Sequence, residues 1–214
     1  PNTQFAIRNN CPAAPRARAP LRAPVPGCYV LTAADCRPTN AASRTTVSSA
    51  DVTVYYLEMR APSDRSVPPP RDGLGVLHAR RPPIPYYRYL YDAVGRDYNW
   101  LSKRKLSDDE LAAVIHDPQT EIHVLHVDGS PAGFAEFDRR QAGEIELIQF
   151  GLTADFIGQG LGKWFLQWTI DKAWSYHPKR FWLHTCTLDH PAALPNYTAA
   201  GFALYREETI NREL

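Results

Sequence analysis

The chain has 214 residues, 44% of them hydrophobic and 22% charged, with a formal net charge of +1 at pH 7. This is the composition of a globular protein of one or two domains, long enough to bury its own core. So small a net charge argues against a nucleic-acid or membrane partner held by bulk electrostatics. No run approaches the roughly 18 consecutive apolar residues of a membrane helix. The four cysteines, Cys11, Cys28, Cys36 and Cys186, fit no zinc-ligand spacing, so no metal is expected. They read as reduced thiols of a cytoplasmic protein, with Cys186 as filler in a buried strand.

Residues 1–50 are rich in Pro, Ala, Arg and small polar residues, and Asp35 is their only acid. The run Pro12–Pro20 has no period of 2 or 3.6, and such a segment buries too little apolar surface to offset its ordering entropy. It reads as a disordered or mistranslated N-terminal segment. Its prolines argue against the amphipathic helix of a mitochondrial signal. The folded domain is expected over 51–214.

The β-branched and aromatic run Val52–Leu57 predicts a strand, and the Pro-rich residues 61–73 predict a loop. Tyr87, Leu90, Tyr91 and Val94 fall at helical spacing, which predicts a helix over about 85–94. Ser107 and Glu110 form a capping box at the head of a second helix. Glu121–Val127 and Ala132–Phe137 flank the turn dipeptide Asp128-Gly129 and predict a hairpin. Glu144–Leu152 is a third strand. Its pattern puts Ile145 and Leu147 on one face, then Ile148, Phe150 and Leu152 on the other. A glycine-rich turn leads into a helix at about 160–176, followed by a strand at Phe181–Thr187. A short helix over about 192–200, starting near Pro195 and ended by Gly201, precedes a last strand at Phe202–Glu208. Strand–helix–strand crossovers after an antiparallel run imply an α/β fold, a mixed sheet with helices on both faces.

Ile157-Gly-Gln-Gly-Leu-Gly162 lies between a strand and an amphipathic helix. Its alternating glycines permit positive φ and close backbone approach. The amides at the helix N-terminus then favour an anion, and a diphosphate is the natural guest. The glycine spacing differs from a dinucleotide-binding fingerprint, and Gly162-Lys163-Trp164 does not complete a Walker loop.

Leu152-Thr-Ala-Asp-Phe-Ile157-Gly-Gln-Gly-Leu-Gly162 resembles the cofactor motif V-x-x-x-x-(R/Q)-x-x-G-x-(G/A) of the GNAT (GCN5-related N-acetyltransferase) family. Thr185–Phe202 is similar to that family's later block, with Tyr197 four residues before Gly201-Phe202. The resemblance covers residues 52–210. It implies the GNAT acyl-CoA N-acyltransferase fold, with a central, mostly antiparallel mixed sheet. It also implies acetyl-CoA as co-substrate, with direct transfer of the acetyl group to a primary amine of a small molecule or peptide. Ile157 stands where the family carries Arg or Gln, and His190 where it carries Asn. A non-catalytic acyl-CoA sensor on the same fold is therefore the alternative. A homodimer is common in the family.

On this resemblance the cofactor-binding residues are Leu152, Ile157, Gly158, Gln159, Gly160, Leu161, Gly162, Lys163 and His190. The amide near Leu152 serves the thioester oxygen. Glu146 occupies a position where family members carry a base. Glu144, two residues away on the same strand face, would raise its basicity. Tyr197 matches the acid that protonates the leaving thiolate. The aromatic stretch Tyr86–Trp100 falls where the family builds its acceptor wall, and stacked rings suit an amine. His184 either faces the strand splay of this fold or packs in the core.

Overall fold

The computed structural model describes residues 49–98 and 100–213. The N-terminal segment up to residue 48, with Cys11, Cys28 and Cys36, lies outside the described residues. The elements, in chain order, are β1 (Ser49–Met59), β2 (Leu74–His78), α1 (Ile84–Gly95), α2 (Asp108–Ile115), β3 (Thr120–Val127), β4 (Ser130–Asp138), β5 (Glu144–Leu152), α3 (Leu161–Trp174), β6 (Arg180–Cys186), α4 (Ala193–Ala199) and β7 (Ala203–Glu213). Short 3-10 turns cover Arg96–Tyr98 and Ala154–Phe156. No helix among the described residues is long and apolar enough to cross a membrane.

The strands form one sheet in the order β2-β3-β4-β5-β6-β1-β7. Only β5 and β6 are parallel. α3 connects them, and a parallel pair needs such a crossover. The other neighbours are antiparallel. This is the mixed, mostly antiparallel sheet the sequence predicts. β1 sits between β6 and β7, so the last strand becomes an edge.

Helices cover both faces. On one, Leu125, Phe137, Leu147, Phe181 and Leu183 pack against Leu161, Phe165 and Ile170 of α3, with Tyr197 of α4 beside them. On the other, Ile122, Val124 and Phe134 meet Tyr87, Leu90 and Val94 of α1 and Leu111 and Ile115 of α2. Each such side chain, fully buried, contributes about 1.5–3 kcal/mol of apolar transfer. The capping box forms as expected: Ser107 Oγ accepts from the Glu110 amide at 3.3 Å, and Glu110 Oε2 accepts from the Ser107 amide at 2.8 Å.

Four details differ from the sequence reading. β2 was not foreseen: it is five residues long, carries Gly75, and is stabilised by its pairing with β3. α4 starts at Ala193, because Pro195 falls in its first turn, where no intrahelical donor is needed. Gly162 lies inside α3, and only Gly158 and Gly160 of the loop take positive φ. Finally, Phe150 and Leu152 pack against the same core as Ile145 and Leu147. The pairing with β4 runs from Phe137↔Leu147 directly to Glu136↔Gln149. Ile148 is thus a bulge residue, and the extra residue restores the original face.

Candidate active site

The bulge sits where the sheet opens. β5 and β6 pair only from Glu144↔Arg180 to Leu147↔Leu183, although β5 continues to Leu152 and β6 to Cys186. On its other side β5 stays paired with β4 as far as Gly133↔Leu152. A bulge bends the strand that carries it, and here β5 follows β4 and leaves β6. The Thr153 amide donates to the Ala132 carbonyl at 2.9 Å. Backbone groups alternate along a strand, so the Phe150 and Leu152 amides point away from β4 into the gap. α1 closes over this stretch: a Cβ on Gly151 would lie 2.4 Å from Val94 Cγ1. Only glycine lets the helix approach so near.

Past Leu152 the chain turns through Ala154–Phe156 into the glycine loop. Gly158 has φ of 84° and Gly160 of 78°, values that a side chain strains. Gly160 is the N-cap of α3, and no side chain caps the helix. The first-turn amides of α3, from Leu161 through Lys163, are therefore presented without an internal acceptor. Ile157, Gln159 and Lys163 are exposed around them. Gln159 Nε2 donates to the Asp155 carbonyl at 2.8 Å, which ties the loop to the preceding turn.

Tyr197 lies on the α3 face, in contact with Phe150 and Phe202. Its spacing to Gly201-Phe202 has a local cause. The Gly201 amide donates to the Thr198 carbonyl and the Phe202 amide to the Tyr197 carbonyl, both at 3.1 Å. Gly201 has φ of 106°. This is a Schellman ending, with Phe202 stacked back on Tyr197. Burial pushes the Tyr197 hydroxyl well above the ordinary phenol range, and the Asp189 carboxylate adds to the shift. Asp189 accepts from Thr185 Oγ1 at 2.8 Å and from the Cys186 amide at 2.9 Å. Trp100 Nε1 reaches it at 3.4 Å, so the α1–α2 segment is tied to the β6–α4 loop. His190 is exposed in that loop. Its Nδ1 accepts from the Ala192 amide at 3.0 Å, and its ring meets Tyr98 edge-on at 5.8 Å.

Leu147 and Leu183 face α3, so Glu146, Trp182 and His184 face the other way by the period of the strand. Glu146 Oε1 lies 3.3 Å from His184 Nδ1. Glu144 lies on this face too but is paired with Arg180 at 3.1 Å. The expected carboxylate pair is thus divided between two separate partners. Of the aromatic stretch, Tyr87 and Tyr91 are core residues, while Tyr89 is 51% exposed.

Sequence reasoning missed a charged cluster under α1. Glu136, on β4, accepts from Tyr87 at 2.5 Å and pairs with Lys103 at 3.3 Å, all three buried. No motif marks it, because β4 and α1 meet only in the tertiary fold. A cavity of about 140 Å³ lies beside it, lined by Tyr87, Tyr91, Lys103, Arg104 and their neighbours.

Comparison with known proteins agrees with this geometry. Three solved structures share the fold. One is a GCN5-related N-acetyltransferase from Sphaerobacter thermophilus (TM-score 0.55, 15% identity, 76% of this chain and 51% of that one). The second is a functionally unknown conserved protein from Staphylococcus epidermidis (TM-score 0.53, 18% identity, 78% and 62%). The third is a GCN5-related N-acetyltransferase from Kribbella flavida (TM-score 0.52, 15% identity, 76% and 58%). The chain thus spans half to just under two thirds of the length of these proteins. No curated protein sequence matches it. The model of the acetyltransferase (GNAT) family matches residues 87–202, more than half of the chain, so this protein belongs to the GNAT acetyltransferase family.

Proposed function

We propose that the protein moves an acetyl group from acetyl-CoA directly to a primary amine of a small molecule or peptide. The observation that carries this reading is the gap between β5 and β6, with free strand amides on one lip and the bare N-terminus of α3 at its end. The residues fit the co-substrate. Among the described residues, a Cβ on Gly158 would meet nothing within 4 Å and one on Gly160 would lie 3.6 Å from Pro70, so the loop backbone is open to close approach by a diphosphate. The helix dipole and Lys163 add positive potential there. Ile157 offers no hydrogen bond, so the grip falls on backbone amides. His190, whose Nδ1 is committed to Ala192, presents its other ring nitrogen at most.

Bound acetyl-CoA supplies an activated thioester. The chain's own groups do the rest. The gap-facing amides of β5 hydrogen-bond the carbonyl oxygen as charge develops on it. Glu146, in the last paired stretch of β5 and beside His184 at 3.3 Å, accepts the proton of the amine. Tyr197 gives its proton to the leaving sulfur. Its raised pKa keeps it protonated, and the same dry surroundings raise the basicity of the sulfur it serves.

The test is thiol release from acetyl-CoA with spermidine, lysine, kanamycin and a short peptide bearing a free N-terminus. Turnover is expected with at least one. Tyr197→Phe should lower kcat about 100-fold while the dissociation constant for CoA, by calorimetry, changes less than twofold. Tight CoA binding with no thiol release across the set would instead mark an acyl-CoA sensor. No binding at all would sink both readings.

A further inference from the structure

We propose that Asp189 binds a second ammonium group of the acceptor, so that the protein acts on diamines and polyamines in preference to amines of a single charge. This names the substrate class of the transfer reaction proposed above and rests on it.

Asp189 stands in the gap because of how β6 ends. The Thr187 amide donates to the Thr53 carbonyl on β1 at 3.0 Å. Amides alternate along a strand, so the Cys186 amide points the other way, toward β5. Had the pairing run on from Leu147↔Leu183, Cys186 would lie opposite Phe150. The strands have parted there, and the Asp189 carboxylate takes the Cys186 amide instead, at 2.9 Å. The same oxygen, Oδ2, accepts from Thr185 Oγ1 at 2.8 Å. The carboxylate is therefore fixed on the β6 lip of the gap, beyond the last strand pair.

Its charge is unmatched. The ion pairs of the described residues use Asp92, Asp108, Asp128 and Asp138, and none of them uses Asp189. Oδ2 is held by a hydroxyl and an amide, and Oδ1 meets the Trp100 indole N–H at 3.4 Å. All three donors are neutral. A carboxylate accepts at about four positions, so Oδ1 keeps room for a further donor. A cation is the strongest one it can take. The residue is half-buried, where an ion pair is screened less than at an open surface.

The ring beside it suits the same guest. Trp100 is packed onto α1 at Gly95, where a Cβ would lie 2.4 Å from the indole. Its ring meets Tyr91 at 5.4 Å and Phe134 at 6.2 Å. Aromatic faces attract ammonium groups. Trp100 thus belongs to the α1 side of the sheet, the side that Glu146 also faces. A diamine at the mouth of the gap meets one carboxylate on each lip, Glu146 on β5 and Asp189 beside β6. One takes the proton of the reacting nitrogen, and the other holds the nitrogen that stays charged.

The experiment compares putrescine with n-butylamine, which differ by one terminal ammonium group. Thiol release from acetyl-CoA gives kcat/KM for each, and the readout is their ratio. Asp189 also acts on Tyr197, but Tyr197 serves both acceptors alike and cancels in the ratio. The wild type should favour the diamine about tenfold or more, and Asp189→Asn should lower the ratio about tenfold, chiefly through KM. Asn keeps an oxygen for the Cys186 amide and the Thr185 hydroxyl. Asp189→Glu, which returns the charge, should regain part of the ratio, and both variants are checked for native circular dichroism. A second arm needs no turnover: spermidine binding to the CoA-bound protein, by calorimetry, should weaken about tenfold in Asp189→Asn. A wild type without diamine preference overturns the inference and leaves the transfer reaction standing, as does turnover confined to acceptors of a single charge. Asp189→Asn that loses affinity for CoA and keeps the diamine preference would also overturn it, by giving Asp189 to the co-substrate. Absence of wild-type turnover with every acceptor would sink the transfer reading. Calorimetry then tells the two failures apart: spermidine binding that depends on Asp189 keeps the cation site, and spermidine binding that does not overturns it too.

Discussion

Glu121→Gln is the perturbation whose size the structure sets most directly. Glu121 is the second residue of β3, on the face that carries α3, and its side chain is 7% exposed. Burial by itself would raise its pKa. Hydrogen bonds from His123 at 3.0 Å, Tyr176 at 2.7 Å and Arg139 outweigh that and hold it at about 2. A fall from the ordinary 4.5 to about 2 corresponds to about 3 kcal/mol of folding stability. The folded-state pKa is depressed, so this contribution is complete above pH 4.5 and is lost as the pH falls toward 2. Glu121→Gln removes the charge at every pH. The variant should therefore be about 3 kcal/mol less stable at pH 7, and the difference should shrink steadily between pH 4.5 and 2. Urea unfolding followed by tryptophan fluorescence, at pH 7, 5, 4 and 3, measures both quantities. A gap that stays constant over that range, or one below about 1 kcal/mol at pH 7, would refute the reasoning.

Two further outcomes follow from other parts of the fold. Lys103→Met leaves Glu136 buried without its cation, since the two side chains are 9% and 2% exposed; this should cost about 3–5 kcal/mol. Adding Glu136→Leu should recover most of the loss in the same urea assay. Gly201→Ala forces a side chain to φ of 106°, which should cost about 1–3 kcal/mol, read as a lowered Tm.

Much of this protein is legible in its sequence because much of it is local. The capping box at Ser107 and Glu110, the hairpin turn at Asp128-Gly129 and the uncapped glycine start of α3 depend on residues within a few positions of one another. So does the Tyr197–Gly201–Phe202 block, which the structure explains as a Schellman ending: Gly201 takes a backbone angle that other residues resist, and Phe202 then folds back on Tyr197. What the sequence could not supply depends on partners far along the chain. β2 exists because β3 pairs with it, and Phe150 keeps its face because a bulge at Ile148 adds one residue opposite β4. β1 lies between β6 and β7 through pairings more than a hundred residues apart. Most telling is Glu146. From sequence its neighbour is Glu144, two positions away on the same strand face. In the fold each carboxylate finds a cation or an imidazole on β6 instead. Strand periodicity decides only which residues share a face; which strand lies alongside, and so which charge a carboxylate meets, is set when the sheet assembles.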